Sequence, residues 1–191
     1  MYDATSDPYC YPGTAVLKNY PGHLRQLELD AFEAASTMQR ADEPLPNGRL
    51  SVRHYRAIHR HLFQDVYPFA GRFRTVRLAK DGTAFCYPEH IAREMRALFI
   101  DLALKRYFRN TTADAFSDMA SEFLATLNAI HPFREGNGRT QTLFLALLAD
   151  QAGHPLDLDR LVPEAFLTAM VQSFAGDLEP LTRQVRGLVS S

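Results

Sequence analysis

The chain is poor in cysteine, close to electrically neutral, and without long apolar runs. Its 191 residues include only two cysteines, Cys10 and Cys86. They give no disulfide framework and no metal spacing, so a reduced, cytoplasmic compartment is the expectation. The formal net charge of −1 argues against bulk electrostatic binding to nucleic acid or to an anionic membrane. There is no stretch of about 18 apolar residues, which argues against a membrane span. The opening Met1-Tyr2-Asp3-Ala4-Thr5-Ser6-Asp7 lacks the basic start and apolar run of a signal peptide. Internal repeats and low-complexity tracts are missing, and β signals are scarce. Hydrophobic residues make up 46%, which is ordinary for a globular protein, and the length suits one sizeable core without a second domain over 1–191.

What is present is helical periodicity. Residues 1–22, rich in Tyr, Pro and Gly, read as an irregular lead-in that wraps the core. Leu24, Leu27, Ala31, Ala34 and Met38 recur at helical spacing and predict a first helix over roughly His23–Arg40. Ser51 suits the N-cap of a second helix, with Val52, Tyr55, Ile58 and Leu62 on one face. Phe73–Leu78 alternates bulky and polar residues. With the turn signal Asp81-Gly82 and a return over Thr83–Tyr87 it predicts the one hairpin, spanning 73–87. Ile91, Met95, Leu98 and Leu102 mark a third helix. Thr112 caps a fourth, which ends at Ile130 or His131 because Pro132 disfavours helix in the residue before it. The helix after that is apolar nearly all round over Leu143–Ala149 and stops at Gly153, so it belongs at the centre of the core. Two further helices are predicted, over Pro163–Phe174 and from Asp177 onward. His54, His59 and His61 crowd one segment, but 59 points away from the other two. An exposed polar face is therefore expected there rather than a metal site.

Between the fourth and fifth helices runs His131-Pro132-Phe133-Arg134-Glu135-Gly136-Asn137-Gly138-Arg139. A loop at a helix N-terminus suits an anion, since backbone N–H groups and the helix dipole both point at it. Gly136, Asn137 and Gly138 let the backbone approach phosphate oxygens closely and form a nest of amides. Arg139 offers bidentate hydrogen bonds to phosphate. Glu135 is a hard oxygen ligand suited to Mg²⁺ that also takes phosphate oxygens. An unperturbed histidine has a pKa of about 6.5, which suits His131 to taking a proton from an attacking hydroxyl. Phe133 has no such chemistry and reads as the anchor of the loop in the core.

These nine residues resemble the signature of Fic-domain proteins, His-Pro-Phe-x-(Asp/Glu)-Gly-Asn-Gly-Arg-x-x-Arg, at every fixed position from His131 to Arg139. Phe69-Ala70-Gly71-Arg72-Phe73-Arg74-Thr75, Lys80 and Phe85-Cys86-Tyr87-Pro88 resemble that family's hairpin flap and its flanks. The lead-in from Asp7 to Asn19 resembles small bacterial Fic toxins and secreted Fic effectors. The resemblance implies a mainly α fold, a Fic-type helical bundle with one β-hairpin flap. It implies transfer of AMP from ATP to a protein hydroxyl with release of pyrophosphate. His131 would be the general base and Glu135 the holder of Mg²⁺. Gly136, Asn137, Gly138 and Arg139 would hold the phosphates. A flap around Lys80 and Asp81 would cover the nucleotide and clamp the target by strand pairing.

The family's second arginine falls on Thr142. In relatives that arginine meets the γ-phosphate and an inhibitory glutamate. The inhibitory pattern is itself missing from the chain, so regulation by a small antitoxin-like partner in trans is the expectation. A type II topoisomerase subunit is a candidate target. Three alternatives stand beside AMP transfer: a donor such as UTP or CTP, a Doc-like kinase, and a non-catalytic binding module. Doc-like members depart from Gly-Asn-Gly, which this chain keeps.

Overall fold

The computed structural model describes residues 7–80 and 83–190. Among them are seven α-helices: α1 (Gln26–Ala41), α2 (Val52–Phe63), α3 (Pro88–Leu104), α4 (Ala113–Ile130), α5 (Asn137–Ala152), α6 (Pro163–Phe174) and α7 (Glu179–Leu188). One antiparallel pair of strands accompanies them, β1 (Ala79–Lys80) and β2 (Thr83–Ala84), with Lys80 opposite Thr83. The chain is thus mainly α with a single hairpin, as expected. None of these helices is long and apolar enough to cross a membrane.

Local chemistry accounts for the helix ends. The Ser51 side chain accepts the His54 N–H at the start of α2, and Thr112 accepts from Ala115 at the start of α4, each satisfying an amide that the helix leaves unpaired. Helix α4 ends on His131, whose left-handed backbone (φ 47°, ψ 63°) and N–H bond to the Leu127 carbonyl form a C-cap ahead of Pro132.

The chain forms two compact units, one reaching Ile91 and including Pro132–Thr140, the other comprising Ala92–His131 and Gln141–Ser191. In the first, Tyr55, Ile58, Leu62 and Phe63 of α2 are buried with Val66, Tyr67, Phe69 and Phe133. In the second, α7 packs on α4 and α6, and Phe99, Phe123 and Phe144 form an aromatic cluster with centroids 5.4–5.8 Å apart. Phe144, Leu145, Leu148 and Ala149 of α5 are all buried.

Two features could not be read from periodicity and alternation alone. The stripe Leu24, Leu27, Ala31, Ala34 and Met38 faces solvent; the buried residues of α1 are Leu29 and Thr37. Its inward face also carries Glu33, which meets polar partners there and so is not driven outward. Secondly, no strand forms over Phe73–Leu78. The buried Arg74 donates from Nη1 to the Val76 carbonyl and from Nη2 to the Cys86 carbonyl, both at 2.6 Å. Its side chain thus takes carbonyls that a longer ladder would use, and the hairpin is confined to its tip.

Candidate active site

The loop between α4 and α5 is fixed from within by its own residues. Asn137, 3% exposed, accepts the Phe133 N–H at 3.0 Å and donates from Nδ2 to the Phe133 carbonyl at 2.8 Å. Its amide thus braces the turn, leaving its backbone as the part available to a ligand. Phe133 is fully buried, its ring 3.7 Å from that of His59 and 5.4 Å from that of Tyr55. It is the anchor its chemistry suggests. The Arg74 N–H donates to the Pro132 carbonyl at 2.9 Å.

Gly136 is required where it stands. Its φ is +79°, and a Cβ there would lie 2.2 Å from the Phe63 ring. Its N–H donates to Glu135 Oε1 at 2.9 Å, and its carbonyl accepts from both the backbone and the hydroxyl of Thr140, which seats the first turn of α5. Gly138 differs: a Cβ there would meet nothing within 4 Å, so the space above it is open to a ligand.

Arg139 is held on three sides. It pairs with Glu33 of α1, donates to the Thr37 hydroxyl at 3.3 Å, and stands 4.7 Å over the Phe63 ring. Its Nη2 also lies 3.8 Å from Glu135 Oε1. The guanidinium keeps 41% side-chain exposure, so it is both oriented and reachable. Glu33 also accepts from the Tyr67 hydroxyl. Burial first, and then that carboxylate, hold the Tyr67 phenol well above its usual range.

The carboxylate of Glu135 is 43% exposed and uses Oε1 within the loop. It fits a cation that takes one protein oxygen and completes its shell from phosphate and water. No group of three or more His, Cys, Asp or Glu side chains suited to a metal occurs among the described residues.

His131 is the C-cap of α4, Lys80 is the last residue of β1, and Asp81 lies outside the described residues. The structure therefore brings Glu135, Gly136, Asn137, Gly138 and Arg139 into one bonded turn. Lys80 belongs to the separate hairpin.

His59 overturns the reading of an exposed polar face on α2. It is wholly buried; Nδ1 accepts the Gly71 N–H at 2.8 Å and Nε2 donates to the Glu135 carbonyl at 2.9 Å. It joins Gly71 to the loop between α4 and α5. His54 and His61 are similarly occupied, donating to the carbonyls of Pro46 and Arg40.

Burial pushes the His59 pKa down to about 4. Protonating Nδ1 would also set an N–H against the N–H of Gly71. The unfolded chain, with an ordinary histidine, therefore binds more protons between pH 6.5 and 4. Stability falls as pH drops through that window, by roughly 3 kcal/mol from this group, at 1.36 kcal/mol for each pKa unit. Urea unfolding of the wild type and His59→Gln across pH 7 to 4 is expected to show a shallower slope in the variant. Identical slopes would remove His59 as the source.

A model of the Fic/DOC family matches residues 49–149, a span drawn from both compact units. A probable protein adenylyltransferase of Sinorhizobium fredii is 51% identical over 189 residues, covering 98% of either chain. A probable protein adenylyltransferase of Escherichia coli K12 is 34% identical, covering 92% of this chain and 88% of its own. Among solved structures, the N-terminal Fic domain of a VirB-translocated Bep effector from Bartonella quintana, with bound ADP, superposes with a TM-score of 0.86. It is 26% identical and covers 95% of this chain and 94% of that one.

Proposed function

Because the chain belongs to the Fic/DOC family, we propose that it is a protein adenylyltransferase that moves AMP from ATP to a hydroxyl of a target protein. The observation that carries this reading is the seating of the loop. Gly136 lies flush on Phe63, the space above Gly138 is open, and Arg139 is oriented at the start of α5. An anion over this turn meets the positive end of a helix and a preorganised guanidinium. The names carried by relatives in Sinorhizobium and Escherichia, and the ADP in the Bartonella relative, support the same reading.

In the reaction, the acceptor oxygen bonds to the α-phosphorus and the bond to the bridging oxygen of pyrophosphate breaks. The hydroxyl proton passes to the His131 imidazole. The backbone of Gly136–Gly138 and the Arg139 guanidinium hold the phosphates in line. Glu135 would hold Mg²⁺, which supplies charge neutralisation for the leaving pyrophosphate. Lys80 and Asp81 in the flap would cover the nucleotide. We place this activity in the cytoplasm, in a single working Fic domain over 1–191. A type II topoisomerase subunit is a candidate target, and a small antitoxin supplying an inhibitory glutamate a candidate partner.

The decisive assay uses ATP labelled at either the α- or the γ-phosphate, with Mg²⁺ and bacterial lysate. AMP transfer labels protein only from the α-position, whereas a Doc-like kinase labels only from the γ-position. Competition by unlabelled UTP and CTP identifies another donor.

Thr142 stands where relatives carry a second arginine. Thr142→Arg is expected to tighten ATP binding more than ADP binding by about 1–3 kcal/mol, the range for hydrogen bonds to charged groups. Calorimetric titration of both nucleotides against both forms checks it. Equal changes in the two affinities would mean that position 142 does not reach the γ-phosphate.

A further inference from the structure

The face of α2 that does not serve the loop carries Arg53, Arg56 and Arg60 at three- and four-residue spacing. With Arg72, and with Gly71 in its lining, they form a groove of about 300 Å³. All four arginines are exposed. Elsewhere Arg40, Arg134, Arg139 and Arg186 each meet a carboxylate; among the described residues none of the four groove arginines does. Like charges at this helical spacing repel and destabilise the helix. The chain as a whole has a net charge of −1, so the groove is a local concentration of positive charge and not part of a basic surface. Part of it is already ordered. Arg56 donates from Nε to the Gly71 carbonyl at 2.8 Å and stands 5.0 Å over the Phe73 ring.

We propose that this groove docks an acidic segment of the protein substrate. This rests on the transferase reading above, in which a protein must be held beside the loop. Gly71, whose carbonyl fixes Arg56, also gives its N–H to His59, and His59 holds the Glu135 carbonyl. The groove therefore stands one hydrogen-bonded relay from the loop, through Gly71 and His59. Its volume, at the lower end for ligand sites, suits a few carboxylate side chains, and guanidinium forks match carboxylates in bidentate fashion. A nucleic acid backbone calls for a basic domain, whereas this chain carries a net charge of −1.

The test uses a fluorescein-labelled hexaglutamate peptide as probe, read by fluorescence anisotropy, with hexaglutamine and a short DNA duplex as controls. The wild type is expected to bind hexaglutamate and not hexaglutamine, more weakly as salt rises. The combined Arg53→Gln, Arg60→Gln, Arg72→Gln variant is expected to bind it at least tenfold more weakly, with ATP affinity unchanged and a melting temperature no lower than that of the wild type. Each single change is expected to weaken binding two- to threefold, which serves if the combined variant does not fold. Equal binding of the two peptides, unchanged binding by the variants, or tighter binding of the duplex at these arginines overturns the proposal. If peptide binding behaves as expected while no α-label is transferred in the lysate assay, the transferase reading fails and the acidic-ligand site stands. If transfer proceeds without peptide binding, the groove proposal alone fails.

Discussion

His131→Ala is expected to lower the rate of transfer by about 10²–10⁴-fold, the range for losing a positioned general base, while nucleotide affinity stays near that of the wild type. In the proposed mechanism the base acts on the incoming hydroxyl and not on the bound phosphate, so the loss would belong to the chemical step. The backbone at this position adds a second consideration. His131 occupies left-handed φ/ψ as the C-cap of α4, a conformation that histidine and asparagine adopt more readily than most residues. His131→Asn therefore serves as the companion variant, keeping the cap without the imidazole. Both variants are expected to be inactive, with His131→Asn the more stable of the two. Single-turnover kinetics with α-labelled ATP, alongside ATP titration, checks this. Transfer at the wild-type rate in either variant would remove His131 from the mechanism, and equal loss of nucleotide affinity would assign it to binding.

Gly136→Ala is expected to be among the most damaging single-methyl changes in the chain. Two costs coincide: a left-handed backbone, worth roughly 1–3 kcal/mol against an L-residue, and a Cβ placed 2.2 Å from the Phe63 ring, for which overpacking costs about 1–3 kcal/mol more. Phe63 is fully buried and lies under the Arg139 guanidinium, so the ring has nowhere to retreat without disturbing Arg139. The variant is expected to melt at lower temperature and to lose ATP affinity together. Gly138→Ala, at a position with open space around the Cβ, is expected to leave stability nearly unchanged and to affect only the approach of phosphate. Thermal unfolding of the two variants side by side tests this; equal destabilisation would mean that the contact with Phe63 is not what fixes Gly136.

The nine-residue loop was legible because its chemistry is covalently local, and the spacing of Glu135, Gly136 and Arg139 along the chain already places them within one turn. The residues that hold it come from afar and were not. Glu33 reads as an ordinary solvated acid on a helix, and only its bonds to Arg139 and Tyr67 give it a role. The apolar stripe of α1 faces solvent, since periodicity reports where apolar residues cluster, not which face the tertiary structure covers. His59 did carry a signal. Positions 55, 58, 59 and 62 form one stripe at i, i+3, i+4 and i+7, so a histidine there was placed to be buried. Arg74 carried none, since a buried guanidinium serving two carbonyls looks in sequence like any basic residue beside a turn.

The pairing of Asp7 with Arg134 has a consequence for how the protein comes into being. The Asp7 carboxylate, 1% exposed, bonds Arg134 through both Nε and Nη2 at 2.9 Å, across 127 residues of chain. The compact unit that holds the loop is built from the first residues and from Pro132–Thr140, so its last pieces arrive after α4 has been made. At about 5–20 residues per second on the ribosome, Asp7 waits roughly 6–25 seconds for its partner. Contacts of such long sequence separation also form late in folding. A partly synthesised chain therefore cannot assemble this unit until Thr140 has emerged.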